Sequence, residues 1–298
     1  MKQSSKHHYL PEFYLKGFTD SQGQFAIYDC KNYRIKDAMF YPSSHFFAKD
    51  RNTIEVFGKE TDLLEQTYSK FDNRHSKLLK LIRETEKPLL LDNQQMIFLQ
   101  EFISHLFWRL PENDELYIKE YKANPNFTKT FKIVDRVTKQ EVKNARTHEI
   151  LNSESFIKSV RAVAGNISHL SYTNAQDYYN WRLSYNKTSF KLCSDSPIIF
   201  KNINSKNIFE SDFIFPITQK HLLLRTFDTL EIEFLEPEIC FMIDLIIFKQ
   251  ARIYACCSRK DYLRTISLMA HLYPIEMLKS KIFKFIEGHS QRQSLTTH

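Results

Sequence analysis

The stretch NQQMIFLQEFISHLFWRLP, residues 93–111, carries apolar side chains on most sides of a helical projection. A helix that is apolar all round is usually buried, so we expect this one to lie at the centre of the domain. Asp92 is a suitable N-cap, and Pro111 stops the helix sharply. The polar exceptions Glu101, His105 and Arg109 recur every four residues and form one ribbon along it.

The preceding segment, residues 59–83, is also predicted to be a helix. Its apolar positions are spaced alternately by four and three residues, which is typical of one inward-facing stripe. The stripe consists of Leu64, Tyr68, Phe71, His75, Leu78 and Ile82. We interpret His75 as a core histidine with a satisfied hydrogen bond.

The second half of the chain changes to a strand pattern, with short aromatic and branched runs separated by turn signals. These runs are YYNWRLSYN, SFKLCS, PIIF, FIFPI and HLLLRTF, and a helix over 236–250 and the strand ARIYACC follow them. We therefore predict a single α+β domain over residues 1–298. It has a helical N-terminal half around a central buried helix and a mixed or antiparallel sheet in the C-terminal half. The polar, Lys-rich stretch 112–152 is predicted to be an exposed insertion.

Composition favours a reduced, cytoplasmic protein with an affinity for anions. The net charge is +7, and the five cysteines form no CxxC pair. No N-terminal apolar run resembles a signal peptide, and the most apolar stretch, residues 239–248, is about half the length needed to span a bilayer. Nucleic acid is therefore a candidate partner, no membrane span is expected, and the oligomeric state stays open.

Familiar catalytic motifs are absent from the sequence. It contains no GxxxxGK[ST] or GxGxxG loop, so binding of a nucleotide through either motif is not expected. HExxH, the zinc deaminase pattern and GxSxG are also missing. A divalent metal would have to be held by residues distant in sequence, and the cofactor is left open.

Several segments together resemble the bacterial family called domain of unknown function 4238. The opening residues His8, Tyr9, Leu10, Pro11, Tyr14, Leu15, Lys16 and Phe18 follow its His-aromatic-aliphatic-Pro and Tyr-Leu-basic-x-Phe start. Glu65 matches a helical acid, and Arg109 to Pro111 match an Arg-x-Pro helix end. CSDSPIIF, residues 193–200, resembles a Ser-Asp-Asn-Pro motif, with Ser196 in place of the asparagine, and FIFPITQKHLLLRTF is similar to the strands after it.

The resemblance implies a bacterial anti-phage defence effector, because members of this family resemble stand-alone defence genes. Combined with the basic charge, it leads us to expect a toxin acting on nucleic acid, most simply a nuclease. Whether the protein is an enzyme stays open, because a non-enzymatic sensor or nucleic-acid-binding protein fits the same features.

We expect the catalytic residues to be His8, Arg109 and Asp195, with His7 nearby. A histidine can move a proton near pH 7, an arginine binds phosphate through two parallel bonds, and a carboxylate orients a histidine or holds a metal. Tyr14, Lys16, Glu101 and His105 are assigned to substrate binding.

Each of these residues also has a structural interpretation. Asp195 can cap the turn before Pro197, and His8 can bond to its own arm. Arg109 lies where the helix dipole favours a cation. Glu101 and His105 can form a solvated or ion-paired face of the helix.

Overall fold

The computed structural model describes residues 5–56, 59–123, 134, 137–142, 149–170, 181–187, 191–203, 208–226 and 235–294. The chain begins with the short strand β1 (Lys6–His8), which pairs antiparallel with β4 (Phe47–Lys49). Helix α1 (Glu12–Leu15) follows Pro11, whose extended backbone sets the first turn. An antiparallel hairpin follows, formed by β2 (Ala26–Asp29) and β3 (Arg34–Ile35).

Helix α2 (Leu63–Glu84) starts four residues later than the pattern predicted. Residues 59–61 instead form strand β6 (Lys59–Thr61), which pairs antiparallel with β5 (Ile54–Val56). The Thr61 hydroxyl accepts the backbone N–H of Leu63, and the helix begins directly after Asp62. The hairpin partner therefore overrides the helical periodicity of this segment.

Helix α3 (Asn93–Arg109) is the predicted central helix. Asp92 accepts the N–H of Gln95, and the Gln95 side chain accepts the N–H of Asp92, which completes a capping box. From Leu99 to Arg109 every residue of the helix is buried. The predicted burial is confirmed, and it includes the polar ribbon.

The segment after α3 packs against the domain before it leaves the described residues. Helix α4 (Asp114–Ala123) buries Tyr117 against Trp108, and the Asn113 amide donates to the carbonyl of Phe107. Residues 124–133, 135–136 and 143–148 lie outside the described residues, so the exposed insertion over 112–152 stays a prediction. Helix α5 (Glu154–Leu170) begins after Ser153, whose hydroxyl caps the N–H of Phe156.

Two four-stranded antiparallel sheets are built mainly from the second half of the chain. One has the order β7-β11-β10-β9, and the other has the order β3-β2-β12-β8, which recruits the N-terminal hairpin. Their later strands are β7 (Trp181–Tyr185), β8 (Cys193–Ser194), β9 (Ile199–Phe200), β10 (Phe213–Pro216), β11 (His221–Arg225) and β12 (Tyr254–Cys257). The α+β class and the antiparallel pairing are as predicted.

Alternate residues of these strands enter two different cores. Phe213 and Phe215 pack with the N-terminal helices, whereas Ile214 between them packs with the C-terminal helices. Cys256 and Cys257 divide in the same way. Because neighbouring strand residues point to opposite faces, the sheets lie between a layer of N-terminal helices and a layer of C-terminal helices.

The C-terminal layer consists of α6 (Pro237–Gln250), α7 (Lys260–Met269) and α8 (Ile275–Ser294). Residues 239–248, the most apolar run of the sequence, form the interior of α6 and are mostly buried in the second core. Within the described parts of the chain, no helix combines the length and the apolarity needed to cross a bilayer.

Replacing Gly165 by alanine tests the packing of α3 on α5. The Ser104 hydroxyl donates to the Gly165 carbonyl, and a Cβ at Gly165 would lie 2.7 Å from Nδ1 and 3.0 Å from Cα of His105. We expect Gly165→Ala to lower the free energy of unfolding by about 1–3 kcal/mol, measured by urea denaturation.

Gly288→Ala is the matched control, because a Cβ at Gly288 meets nothing within 4 Å on α8. Alanine there should raise stability by about 0.5–1 kcal/mol. Equal effects of the two changes would contradict the close approach of α3 and α5.

Candidate functional site

His8 lies at the junction between β1 and α1. Its strand neighbour is Phe47, whose ring meets the imidazole edge-on with 5.5 Å between centroids. One turn further on, Oε1 of Glu12 is 3.8 Å from Nε2 of His8. The His8 side chain is 15% exposed, and its Nε2 atom is buried.

The surroundings of His8 keep its imidazole neutral near pH 7. Burial lowers its pKa below 6.5, the positive charge of Arg109 acts in the same direction, and Glu12 and Glu65 oppose them. The imidazole also bonds to the backbone of Ser43, while among the described residues its buried Nε2 atom has no hydrogen-bond partner. The bond to Ser43 therefore falls to Nδ1, and the lone pair of Nε2 is available to accept a proton.

Arg109 ends α3 with its guanidinium in the interior. Its Nη1 atom donates to both carboxylate oxygens of Asp72 at 3.0 Å, and the guanidinium lies 4.5 Å from the centre of the Tyr68 ring. Burial works to lower the pKa of Arg109, but Asp72, Tyr68 and Glu65 together outweigh it and the pKa is raised. The group is therefore a fixed positive charge close enough to His8 to affect its titration.

Two further arginines share one carboxylate beside this pair. Arg51, in the loop after β4, holds Asp114 with two bonds of 2.6 and 2.7 Å. Arg161, on α5, donates to the same carboxylate at 2.9 Å, and Arg51 also donates to the backbone carbonyl of Arg109 at 3.3 Å. We call Arg51, Arg109 and Arg161 the arginine cluster.

Several buried polar atoms around the arginine cluster are unsatisfied within the described part of the chain. The Nε atoms of Arg51, Arg109 and Arg161 have no acceptor, and the hydroxyls of Tyr9 and Tyr68 have no partner. Each buried donor left without an acceptor costs about 1–3 kcal/mol. A concentration of such atoms beside an available histidine is typical of a site that completes its hydrogen bonds with a ligand or water.

His7 is part of the framework of this site. Its Nδ1 atom accepts the backbone N–H of Asn52 at 2.8 Å, and the side chain of Asn52 bridges Glu65 and Arg161. These contacts tie β1, α2 and α5 together behind His8. Nδ1 of His7 is thus occupied by a backbone N–H, whereas Nε2 of His8 has no hydrogen-bond partner among the described residues.

Asp195 fastens two strands. Its carboxylate accepts the backbone N–H groups of Arg252, Ile253 and Tyr254 at 3.0 to 3.2 Å, and its own N–H bonds to the Tyr254 carbonyl. These bonds join the end of β8 to the start of β12. Burial raises the pKa of Asp195, and the N–H bonds only partly offset that effect.

Glu112 brings two of the sequence motifs into contact. Burial raises its pKa to about 7, while a hydrogen bond to Ser196 and the nearby Arg252 lower it and the charge of Asp195 raises it. The charge of Asp195 also contributes to raising the pKa of Tyr9, after burial. The segments around His8, Arg109 and Asp195 are thus neighbours, although the acidic residues that affect the pKa of His8 itself are Glu12 and Glu65.

The residues assigned to substrate binding lie in three different places. Tyr14 is fully buried, stacks on Phe215 and donates its hydroxyl to the Pro216 carbonyl at 2.8 Å. Lys16 is exposed and lines a separate polar cavity of about 370 Å³ with Arg83 and Lys220. Their roles toward a substrate stay predictions.

Glu101 and His105 form a second polar group deeper along α3. Glu101 bonds to Arg74 and, at 3.1 Å, to Nε2 of His75. The ion pairing expected of Glu101 is therefore present, and the residue is buried instead of solvated. Burial works to raise the pKa of Glu101, but His75 and Arg74 outweigh it and the pKa is lowered. His105 packs on Phe71 with 4.1 Å between ring centroids, and His75 is the satisfied core histidine expected.

Sequence reasoning missed Arg51, Arg161, Asp72 and Asp114, which hold Arg109 and its surroundings. One signal was available, because Arg161 lies on the apolar stripe of α5 with Ile157, Val160 and Ala164. A charge on the inward face of a helix indicates a buried partner. In the described residues, no group of three or more His, Cys, Asp or Glu side chains is placed to hold a metal ion.

Comparison with known proteins identifies the family. A family model described as "Protein of unknown function (DUF4238)" matches residues 6–261, so the chain belongs to this family. Neither a curated protein nor a solved structure matches the chain.

Replacing Asp195 tests its hold on β12. We expect Asp195→Ala to lower the free energy of unfolding by about 3 kcal/mol, because three partly buried N–H groups lose their shared acceptor. Asp261→Ala, which removes an exposed carboxylate on α7, is the control and should change stability little. Urea denaturation of both variants provides the measurement, and equal stability of the two would contradict this role.

Proposed function

We propose that this member of the DUF4238 family is a bacterial defence effector that cleaves nucleic acid in the cytoplasm, with His8 as the acid/base residue. The observation that carries the proposal is the buried Nε2 of a neutral His8, which accepts no hydrogen bond from the described residues, next to a fixed arginine charge. The net charge of +7 favours a polyanionic substrate. The defence role rests on the resemblance of family members to stand-alone defence genes.

The chemistry would use the two kinds of group in sequence. Nε2 of His8 would accept the proton of an attacking hydroxyl, either water or a ribose 2′-OH, as it adds to the phosphorus. The charge that grows on the phosphate oxygens would be stabilised by the arginine cluster, whose Nε–H groups are available as donors. The protonated His8 would then return that proton to the leaving oxygen.

In this proposal Asp195 has a positioning role and does not contact the substrate. The sequence hypothesis makes it an orienter of His8 or a metal ligand, and its oxygens are hydrogen-bonded to three backbone N–H groups. It would thereby hold β8 and β12, and with them Glu112, beside the arginine cluster.

A non-enzymatic sensor or nucleic-acid-binding protein is the second candidate. The observation in its favour is that the charges of Arg109 and Asp195 are already used inside the protein, by Asp72 and by the start of β12. A binding protein would use the same basic surface without His8 chemistry.

Removal of the His8 imidazole separates the two candidates. We expect purified His8→Gln to cleave RNA or DNA at least about 100-fold more slowly than wild type, the usual loss when a general base is removed. His271→Gln changes an exposed histidine near the end of α7 and should retain full activity. In cells, wild type should arrest growth and degrade total RNA or DNA, whereas growth arrest with intact nucleic acid would contradict the nuclease and favour the sensor.

The dependence of kcat/KM on pH tests the role of His8 as well. Because His8 acts when neutral and its pKa lies below 6.5, kcat/KM should stay high at pH 6.5 and fall only as the pH drops through that lower value. Glu12→Gln removes a charge that raises the pKa of His8, so this acid limb should move to still lower pH. Glu238→Gln, on α6, should leave the limb in place, and an acid limb above pH 6.5 would rule out His8 as the base.

A further inference from the structure

A second feature of the N-terminal layer is an open groove between α2 and α3. Its volume is about 890 Å³, and it runs along the outer side of both helices. The lining residues from α2 include the cations Lys70, Arg74 and Lys77 and the exposed Leu81, and those from α3 are Gln95 and Phe98. We call this feature the α2–α3 groove.

Helix α2 separates its charges between two faces. Glu65 and Asp72, seven residues apart, point to Asn52 and Arg109 in the interior. Lys70, Arg74 and Lys77 are spaced by four and three residues and therefore share the groove face. No acidic residue lines the α2–α3 groove among the described residues, so its surface is positive along about two helical turns.

Two of the three cations are available to a ligand. Within the described part of the chain, Lys70 and Lys77 take part in no ion pair, and both are exposed. Arg74 is paired with Glu101, and its guanidinium covers the Phe98 ring at 5.6 Å from the centroid. The groove thus offers two exposed lysines whose backbone positions are about 10 Å apart along the helix, given a rise of about 1.5 Å per residue.

The floor of the groove is suited to bases. Phe98 is partly buried beneath the Arg74 guanidinium, so the ring and the guanidinium together form one surface of the groove, with Leu81, 43% exposed, also lining it. Stacking on an aromatic ring requires a base that is not enclosed in a duplex, whereas ammonium groups bind the backbone of any strand. The side chains of Asn73, Ser76 and Gln95 add hydrogen-bonding groups along the rim.

We propose that the α2–α3 groove binds single-stranded nucleic acid, with Lys70 and Lys77 on backbone phosphates and a base against the Phe98 and Arg74 pair. The proposal rests on the proposed function and names its docking surface. Lys70 lies two residues from both Tyr68 and Asp72, which contact Arg109 from the opposite face of α2. The Lys70 end of the groove is therefore separated from the arginine cluster by the width of α2.

Fluorescence anisotropy with a labelled oligonucleotide of about 16 nucleotides, as RNA and as DNA, tests this surface. We expect the double variant Lys70→Glu with Lys77→Glu to weaken binding at least about tenfold. The slope of log Kd against log salt should also fall by about 1.4, the value for two lost phosphate contacts on a single strand. Phe98→Ala should weaken binding about tenfold with little change of that slope, because stacking releases no counterions.

The matched control changes Lys31 and Arg34 to Glu, on the exposed β2–β3 hairpin, and alters the net charge by the same amount. It should bind nearly as well as wild type. If the two double variants bind the oligonucleotide equally weakly, the groove proposal is wrong, because binding would then depend only on the overall charge. Stronger binding of a duplex of the same sequence, or no binding of a single strand by wild type, would overturn it as well.

The outcomes for the groove and for catalysis are separable. If wild type cleaves nucleic acid and the Lys70/Lys77 variant binds and cleaves equally well, the groove proposal fails and the nuclease proposal stands. If the groove variants lose binding but wild type and His8→Gln both leave every nucleic acid intact, the nuclease proposal fails and the groove stands.

Discussion

The burial of both faces of the central strands constrains the rest of the molecule. Where Phe213 and Phe215 face one core and Ile214 faces the other, neither side of the sheet can be left to water. Helices must therefore cover both sides, and the chain supplies α2, α3 and α5 for one and α6 to α8 for the other. The N-terminal arm is drawn into the first core by Tyr14, whose ring stacks on Phe215 and whose hydroxyl bonds to Pro216.

The position of His8 follows from this docking. Tyr14 anchors α1 on the sheet, and the pairing of β1 with β4 holds the other end of the arm, so His8 is held between two fixed points. The end of α3 and the face of α2 that carries Asp72 then lie close enough for Arg109 to influence its titration. The same interior excludes water, which makes the imidazole neutral and the arginine charges strong.

The charges of α2 link the two proposals. Two of its acidic residues, Glu65 and Asp72, face inward beside the arginine cluster, whereas Lys70, Arg74 and Lys77 line the α2–α3 groove. Buried arginines require carboxylates nearby, because an uncompensated charge in the interior is very costly. One helix therefore supports a buried polar site on one side and a positive surface on the other.

The sequence alone determined the α+β class, the burial of α3, the cap at Asp92 and the role of His75, because local periodicity and capping chemistry depend on neighbouring residues. It also determined family membership through the order of short motifs. Only the tertiary structure decided that residues 59–61 form a strand, that Arg51 and Arg161 converge on Asp114, and that Asp195 bonds to the start of β12. The contacts of Arg51, Arg161 and Asp195 join residues from 47 to 63 positions apart, and nothing in the local pattern of either partner specifies the other. The strand at residues 59–61 pairs with the nearby residues 54–56, and this pairing competes with a helical periodicity that extends through the same residues.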